Sequence, residues 1–193
     1  MMTAAVVDLA AWVRLWAREY PQPHDEQLGP LWGKPALDAE DRKLLARWKF
    51  ESDRRRLQRT LNLLAGNDPS WADELTRRAL ACNDDLGAWL IAQGILGVGP
   101  ALASAMLMAH DRKRFTVIDS RAFKSIRVLV QSGSLKGDGV DPGRLQGAVA
   151  SGRTWLVYLN ACRALGAATA CSLRDVDRAL YAAKGREALP QSR

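Results

Sequence analysis

Ile95-Leu96-Gly97-Val98-Gly99-Pro100, with the small-residue run Ala101-Leu102-Ala103-Ser104-Ala105-Met106-Leu107 directly behind it, decides the fold. Two glycines flanking one aliphatic residue let a chain reverse sharply and bring its backbone close to another surface. A proline suits the first turn of a helix, where its missing N–H has no intrahelical partner in any case. The stretch therefore predicts a turn at Gly97, Val98 packed inward, and a helix over Ala101 to His110. Upstream, Asn83 or Asp84 caps a helix that carries Leu86, Trp89 and Leu90 and ends near Gly94. A glycine hairpin joining two helices is thus expected at the centre of the chain.

Helical signals continue in both directions from that hairpin. Thr3 can cap a helix through Val6, Leu9, Val13 and Trp16 that ends at Tyr20-Pro21. Pro21, Pro23, Gly29, Pro30, Gly33 and Pro35 then read as a punctuated linker. Asp38 opens a helix with Leu44, Leu45 and Trp48 on its apolar side. Arg54-Arg55-Arg56 begins another, running through Leu57, Leu61 and Leu64 to Gly66 as a C′ residue. Asp68-Pro69 starts the next, ahead of Ser70 and Asp73. Beyond the hairpin, Arg112 to Ile118 is a short extended connection and Asp119 to Val130 is helical, followed by a glycine-rich loop over 132–139. Asp141-Pro142 and Thr154 start helices, and Ser172 caps a last one through Leu173, Val176 and Leu180 to Lys184-Gly185. Strand-like alternation and internal repeats are absent, so the chain is all-α. It is expected to be a single all-helical domain. The hairpin and a core occupy 84–131, and the helices of 1–37 and 141–187 pack as a second lobe.

Composition narrows the class of protein. With 48% hydrophobic and 25% charged residues in 193, the chain is globular rather than disordered or fibrous. No apolar run approaches the roughly 20 residues that a bilayer requires. Met1 to Ala11 contains Asp8 and lacks a basic leader, which does not fit a secretory signal. Cys82, Cys162 and Cys171 are odd in number and lack CxxC spacing. That pattern suits a reducing compartment and argues against a disulfide framework or a cysteine-held zinc or iron–sulfur site. A cytoplasmic monomer with no membrane partner is expected, in the bacterial cytosol or nucleoid. The formal net charge of +7 points to a polyanionic partner.

The hairpin suggests how such a partner is held. Amides at the start of the helix after Gly99, with the positive end of that helix, form a seat for one phosphate oxygen. Such a contact reads no bases and positions a protein on any DNA. The same tetrapeptide also serves as an ordinary helix–helix turn.

The segment from Ile95 to Leu107, ending in Val117-Ile118-Asp119, resembles the signature of the helix-hairpin-helix DNA glycosylase superfamily. That group includes the endonuclease III-type, adenine-mismatch and alkyl-purine glycosylases. Asp119 follows Gly97 by 22 positions (119 − 97), similar to the spacing between hairpin and aspartate in that family. The likeness covers about thirty residues; the rest agrees only in being helical. It implies a two-lobed helical fold, double-stranded DNA as partner, and Asp119 as the catalytic carboxylate. It also implies a DNA-binding hairpin of Leu96, Gly97, Val98, Gly99 and Ala101. Asp119 is equally well placed as an N-cap ahead of Ser120-Arg121-Ala122-Phe123, and the two roles coexist at a helix start.

Departures from the family sharpen the expectation. Members that also cut the strand resemble one another in having a lysine where this chain has Ala101, which leaves a lyase step to a recruited Lys124 or Lys49. Four C-terminal cysteines for an iron–sulfur cluster are lacking. No cofactor is required, although the resemblance implies a structural monovalent cation, sodium or potassium, on the main-chain carbonyls of Gln93, Ile95 and Val98. A monofunctional glycosylase for a modified or mispaired base is therefore expected, with a non-catalytic helix-hairpin-helix DNA-binding protein as the alternative. A third possibility is a helical interaction protein whose glycine turn is purely structural.

Arg112 and Lys113, with Arg114 behind them, and Arg121, Lys124 and Arg127 are candidates for a phosphate-binding face or for a solvated charged surface. Of Arg54 to Arg56 only one or two can face DNA, since consecutive helical residues diverge. Trp48 and Lys49 follow an amphipathic helix where related glycosylases line the base pocket, though core packing suits Trp48 as well. Trp12, Trp16, Trp71, Trp89 and Trp155 read as core. His24 and His110 are isolated, and no HExxH, Ser–His–Asp or Walker pattern exists. Asp175 and Asp177, flanked by Arg174 and Arg178, read as helix-surface ion pairs, and Ser132 to Gly137 as a surface loop.

Overall fold

A computed structural model describes residues 8–21, 23–137, 140–146 and 151–186. Among these the chain is all-helical, with no strand. In chain order the helices are α1 (Leu9–Arg18), α2 (Pro23–Glu26), α3 (Ala39–Phe50), α4 (Arg54–Ala65) and α5 (Pro69–Ala81). They continue with α6 (Asp85–Ala92), α7 (Pro100–His110), α8 (Ser120–Gln131), α9 (Gly152–Thr169) and α10 (Leu173–Ala183). Two compact units emerge: Met1–Tyr20, Ile118–Val149 and Thr154–Arg193 form the first, and Pro21–Val117 with Ala150–Arg153 the second. No single helix among the described residues is long and apolar enough to cross a membrane.

Side-chain caps set most of the helix starts. Asp8, Asp38, Asp53, Asp68, Asp84, Asp119 and Ser172 each accept a backbone N–H from the first turn of the helix that follows. Each such bond satisfies a donor the helix leaves orphaned and contributes about 1 kcal/mol. The Asp38 cap is reciprocal, since the Asp41 carboxylate accepts the Asp38 N–H in return. That bond from the Asp41 amide holds the Asp38 carboxyl below its ordinary range. The Thr3 cap expected from the sequence lies outside the described residues.

In the first unit α10 packs on both α1 and α8. Trp12, Val13 and Trp16 of α1, Val176, Ala179 and Leu180 of α10, and Ile126 and Leu129 of α8 are all buried. Burying each large apolar side chain contributes about 1.5–3 kcal/mol. Ser125 staples the last turn of α10 to α8: its hydroxyl donates to the Leu180 carbonyl at 2.6 Å and accepts the Gly185 N–H at 2.8 Å. Arg174 and Asp177 pair inside this unit, only 7% and 4% exposed, so they are not the helix-surface pair that their spacing suggests. The Arg174 guanidinium lies 5.4 Å from the Tyr20 ring centroid, and the phenol oxygen accepts from it at 3.5 Å.

The second unit is built around α7. Every residue from Ala101 to Ala109 is buried, and its small side chains let α3 and α6 approach closely. The segment expected as a linker is part of this core instead. Leu28, Leu31 and Leu37 are fully buried, the Gly33 N–H donates to the Ala109 carbonyl at 3.3 Å, and His110 Nδ1 lies 2.8 Å from the Lys34 carbonyl. Proline and glycine turned this stretch repeatedly without making it solvent-facing. Elsewhere Gly66 ends α4 with an ordinary right-handed φ of −83°. A 3-10 turn, Arg144–Gln146, stands near Asp141 where a helix was expected, and α9 begins two residues ahead of Thr154. Trp71 is 49% exposed, not core.

Candidate functional site

The hairpin is a closed turn. Beyond α6, Gly94 N–H donates to the Ile91 carbonyl at 3.0 Å and Ile95 N–H to Ala92 at 3.3 Å. The Val98 N–H then reaches back to the Ile95 carbonyl at 3.0 Å, with Gly97 at φ +88° between them. Ile95 and Val98 point into the core, 1% and 4% exposed, as the spacing predicts for Val98, whereas Leu96 stands half exposed. Trp89 Nε1 donates to the Pro100 carbonyl at 3.3 Å and ties the two helices together.

The close approach that Gly97 permits is to α4. A Cβ there would lie 3.0 Å from Leu63 Cβ and 3.1 Å from both the Leu64 nitrogen and the Thr60 carbonyl oxygen. Asn67, just past α4, completes the contact. Its Oδ1 accepts the Leu96 N–H at 2.9 Å, and its Nδ2 donates to the Leu96 carbonyl at 2.9 Å and to the Leu64 carbonyl at 3.0 Å. The sequence marks Asn67 only as part of a Gly-Asn-Asp-Pro break, so its role was not legible. Asn67→Ala is expected to lower stability by about 1–2 kcal/mol, since one side chain removes several modest hydrogen bonds from a partly exposed site. Chemical denaturation reads that loss directly.

Gly99 differs from Gly97. It caps α7 in an extended conformation, φ −89° and ψ 179°, with no side-chain hydrogen bond. Nothing lies within 4 Å of the position its Cβ would take. The first bond of the α7 ladder runs from the Ala103 N–H to the Gly99 carbonyl at 2.9 Å, so the Ala101 and Leu102 amides precede the ladder. A helix start without a side-chain cap carries positive potential that favours an anion, here at Gly99 and Pro100, since Ala101 and Leu102 behind them are buried.

Arg112 and Lys113 are exposed but lie beyond the far end of α7, about 16 Å along the helix axis from Gly99 at 1.5 Å per residue. The Arg112 guanidinium covers the Trp32 ring at 5.4 Å. Arg114 is structural: it bonds Asp85 at 2.8 Å and the Cys82 and Asn83 carbonyls at 3.0 and 2.6 Å, anchoring the entry to α6. Trp48 is 5% exposed with its ring 5.5 Å from that of His24, and Lys49 is half-buried beside it. Trp48 therefore packs as core in this conformation.

Asp119, Arg121 and Lys124 are brought together at the start of α8, in the first unit. Asp119 caps the helix, its Oδ1 accepting the Arg121 N–H at 2.8 Å. Of the connection expected to be extended, Arg112 to Arg114 form a turn, the Arg114 and Phe115 N–H groups donating to the Asp111 carbonyl at 3.2 and 2.9 Å, and Phe115 to Ile118 are buried. Arg121 is exposed and donates to the Tyr181 phenol. The exposed Lys124 runs its methylenes along Gly185, where a Cβ would come within 2.8 Å of them. Tyr181 carried no sequence signal, because its partner is 60 residues away. Comparison with protein-family models, curated proteins and solved structures finds no match. Among the described residues no three His, Cys, Asp or Glu side chains gather to hold a metal ion.

Proposed function

We propose that the protein grips duplex DNA at the hairpin and removes a modified or mispaired base as a monofunctional glycosylase. The observation that carries this reading is the start of α7. Among the described residues seven helix starts are closed by an Asp or Ser side chain, whereas Gly99 offers α7 none and has open space on its Cβ side. With a net charge of +7, a phosphate is the fitting occupant. The order of hairpin, apolar lead-in and aspartate then suggests the chemistry.

A base stacked in a duplex is unreachable, so the target nucleotide is extruded while the phosphates beside it are held. The C1′–N bond breaks with its electron pair leaving on the base nitrogen, and a water oxygen bonds C1′. Asp119 stabilises the cationic sugar and takes the water proton. Ala101, lacking an amine, forms no Schiff base, so no strand cleavage starts from that position. A monovalent cation, as the family resemblance implies, would be held by the Gln93, Ile95 and Val98 carbonyls and would supply only structural support; one of them, Ile95, accepts the Val98 N–H. No reaction step runs through that cation. The protein works as a monomer in the cytosol or nucleoid.

A second reading, a non-catalytic DNA-binding module, is favoured by the engagement of Asp119 Oδ1 as a cap. Incubation with single-lesion duplexes decides between them. Release of a free base, with strand breakage only after alkali, is the expected result. Salt-sensitive DNA binding without release on any lesion supports the module, and no salt-sensitive binding sinks both readings.

A further inference from the structure

Arg121 is a surface residue fixed from beneath. Its guanidinium donates to the Tyr181 phenol and lies 5.0 Å from that ring's centroid. Tyr181 in turn meets the ring of Tyr20 edge-on, centroids 5.5 Å apart at 72°. Tyr20 is 5% exposed and sits beneath the guanidinium of the buried Arg174. An exposed arginine ordinarily samples many rotamers and loses that freedom on binding. Here the aromatic stack restricts it beforehand, and one of five N–H donors is committed to the phenol while the residue stays open to solvent. The planar fork matches phosphate geometry. Its backbone N–H is the one that Asp119 accepts, so side chain and carboxylate belong to a single turn.

Resting on the DNA reading above, we infer that Arg121 is a preset contact to a DNA phosphate at the Asp119 end of α8, and that Tyr181 is its positioning residue. The phenol holds the guanidinium, and the ring anchors it to the core through Tyr20. Tyr181→Phe removes only the hydroxyl and keeps the ring against both Tyr20 and the guanidinium, so the fold survives a change that loosens the arginine.

The test is anisotropy of a labelled duplex titrated between about 50 and about 200 mM salt, the range over which phosphate contacts are resolved. Arg121→Gln is expected to make the slope of log K against log salt shallower by about 0.9, the value for one phosphate on B-DNA. Tyr181→Phe is expected to weaken binding severalfold and to shift the slope the same way. The double variant is expected to be no weaker than Arg121→Gln alone, because the hydroxyl acts through that side chain. A general packing role for Tyr181 would instead lower thermal stability, leave the slope unchanged and add to the arginine loss. Unaltered slopes in the single variants, with salt-sensitive binding intact in the parent protein, overturn this inference alone. Absence of salt-sensitive binding in the parent overturns the DNA reading and takes this inference with it.

Discussion

Alanine at position 97 is expected to cost the second unit about 2–5 kcal/mol of unfolding free energy. Two causes add. Gly97 has φ +88°, where a Cβ meets the following carbonyl and costs about 1–2 kcal/mol. The new methyl would also meet Leu63 Cβ at 3.0 Å and the backbone of Leu64 and Thr60 at 3.1 Å. Helix backbone cannot swing aside as a side-chain tip can, so the hairpin has to lift from α4, an overpacking cost of about 1–3 kcal/mol. The Asn67 bonds to Leu96 stretch with it. Gly99→Ala is the internal control: φ is negative and its Cβ enters open space, so stability changes by less than about 1 kcal/mol. Urea titration of the two variants separates them. Equal midpoints would refute the assignment of Gly97 to the α4 contact. On the proposed function Gly99→Ala weakens DNA binding instead, because its methyl stands in front of the phosphate seat.

That difference between two glycines flanking one valine marks how far the sequence could be read. The spacing of Gly97 and Gly99 about Val98, with Pro100 behind, is local chemistry, and it predicts a turn, an inward Val98 and a helix start. Which glycine faces α4 depends on residues some thirty positions away, and nothing in the hairpin encodes them. Asp38, Asp68 and Ser172 are legible as caps because capping acts within three residues, and of the pair Asn83 or Asp84 the structure uses Asp84. The stretch from Pro21 to Leu37 misleads for the opposite reason. Its prolines and glycines signal loops, while its core contribution, Leu28, Leu31 and Leu37, follows neither helical nor strand spacing. Trp71 reads as core from its helical apolar position, yet it stands on the exposed first turn of α5. Arg174 and Asp177 carry an exposed-looking i,i+3 pattern, and their burial depends on tertiary neighbours such as Tyr20, 154 positions from Arg174.

Asp119→Asn is expected to reduce base release by about 10²–10⁴-fold while leaving the fold intact, and it separates the two roles of this residue. Asparagine caps a helix about as well as aspartate, because a side-chain oxygen still accepts the Arg121 N–H that Oδ1 now holds at 2.8 Å. What the variant loses is the negative charge and the proton acceptor. A neutral amide neither stabilises an oxocarbenium-like sugar nor deprotonates water at neutral pH. Stability should therefore stay within about 0.5 kcal/mol of the parent, as expected where no cap is lost. DNA affinity should hold or rise slightly, since a negative charge is removed from a surface that meets phosphates. Asp119→Ala is the complementary variant: it lacks both functions, so it should lose base release and also about 1 kcal/mol of stability. Single-turnover assays on the preferred lesion duplex, beside thermal melts, read both quantities. If release by Asp119→Asn matches the parent, this carboxylate is a cap alone and the catalytic assignment is wrong. If release is lost while melting temperature and DNA binding stay put, the charge itself is what the reaction uses.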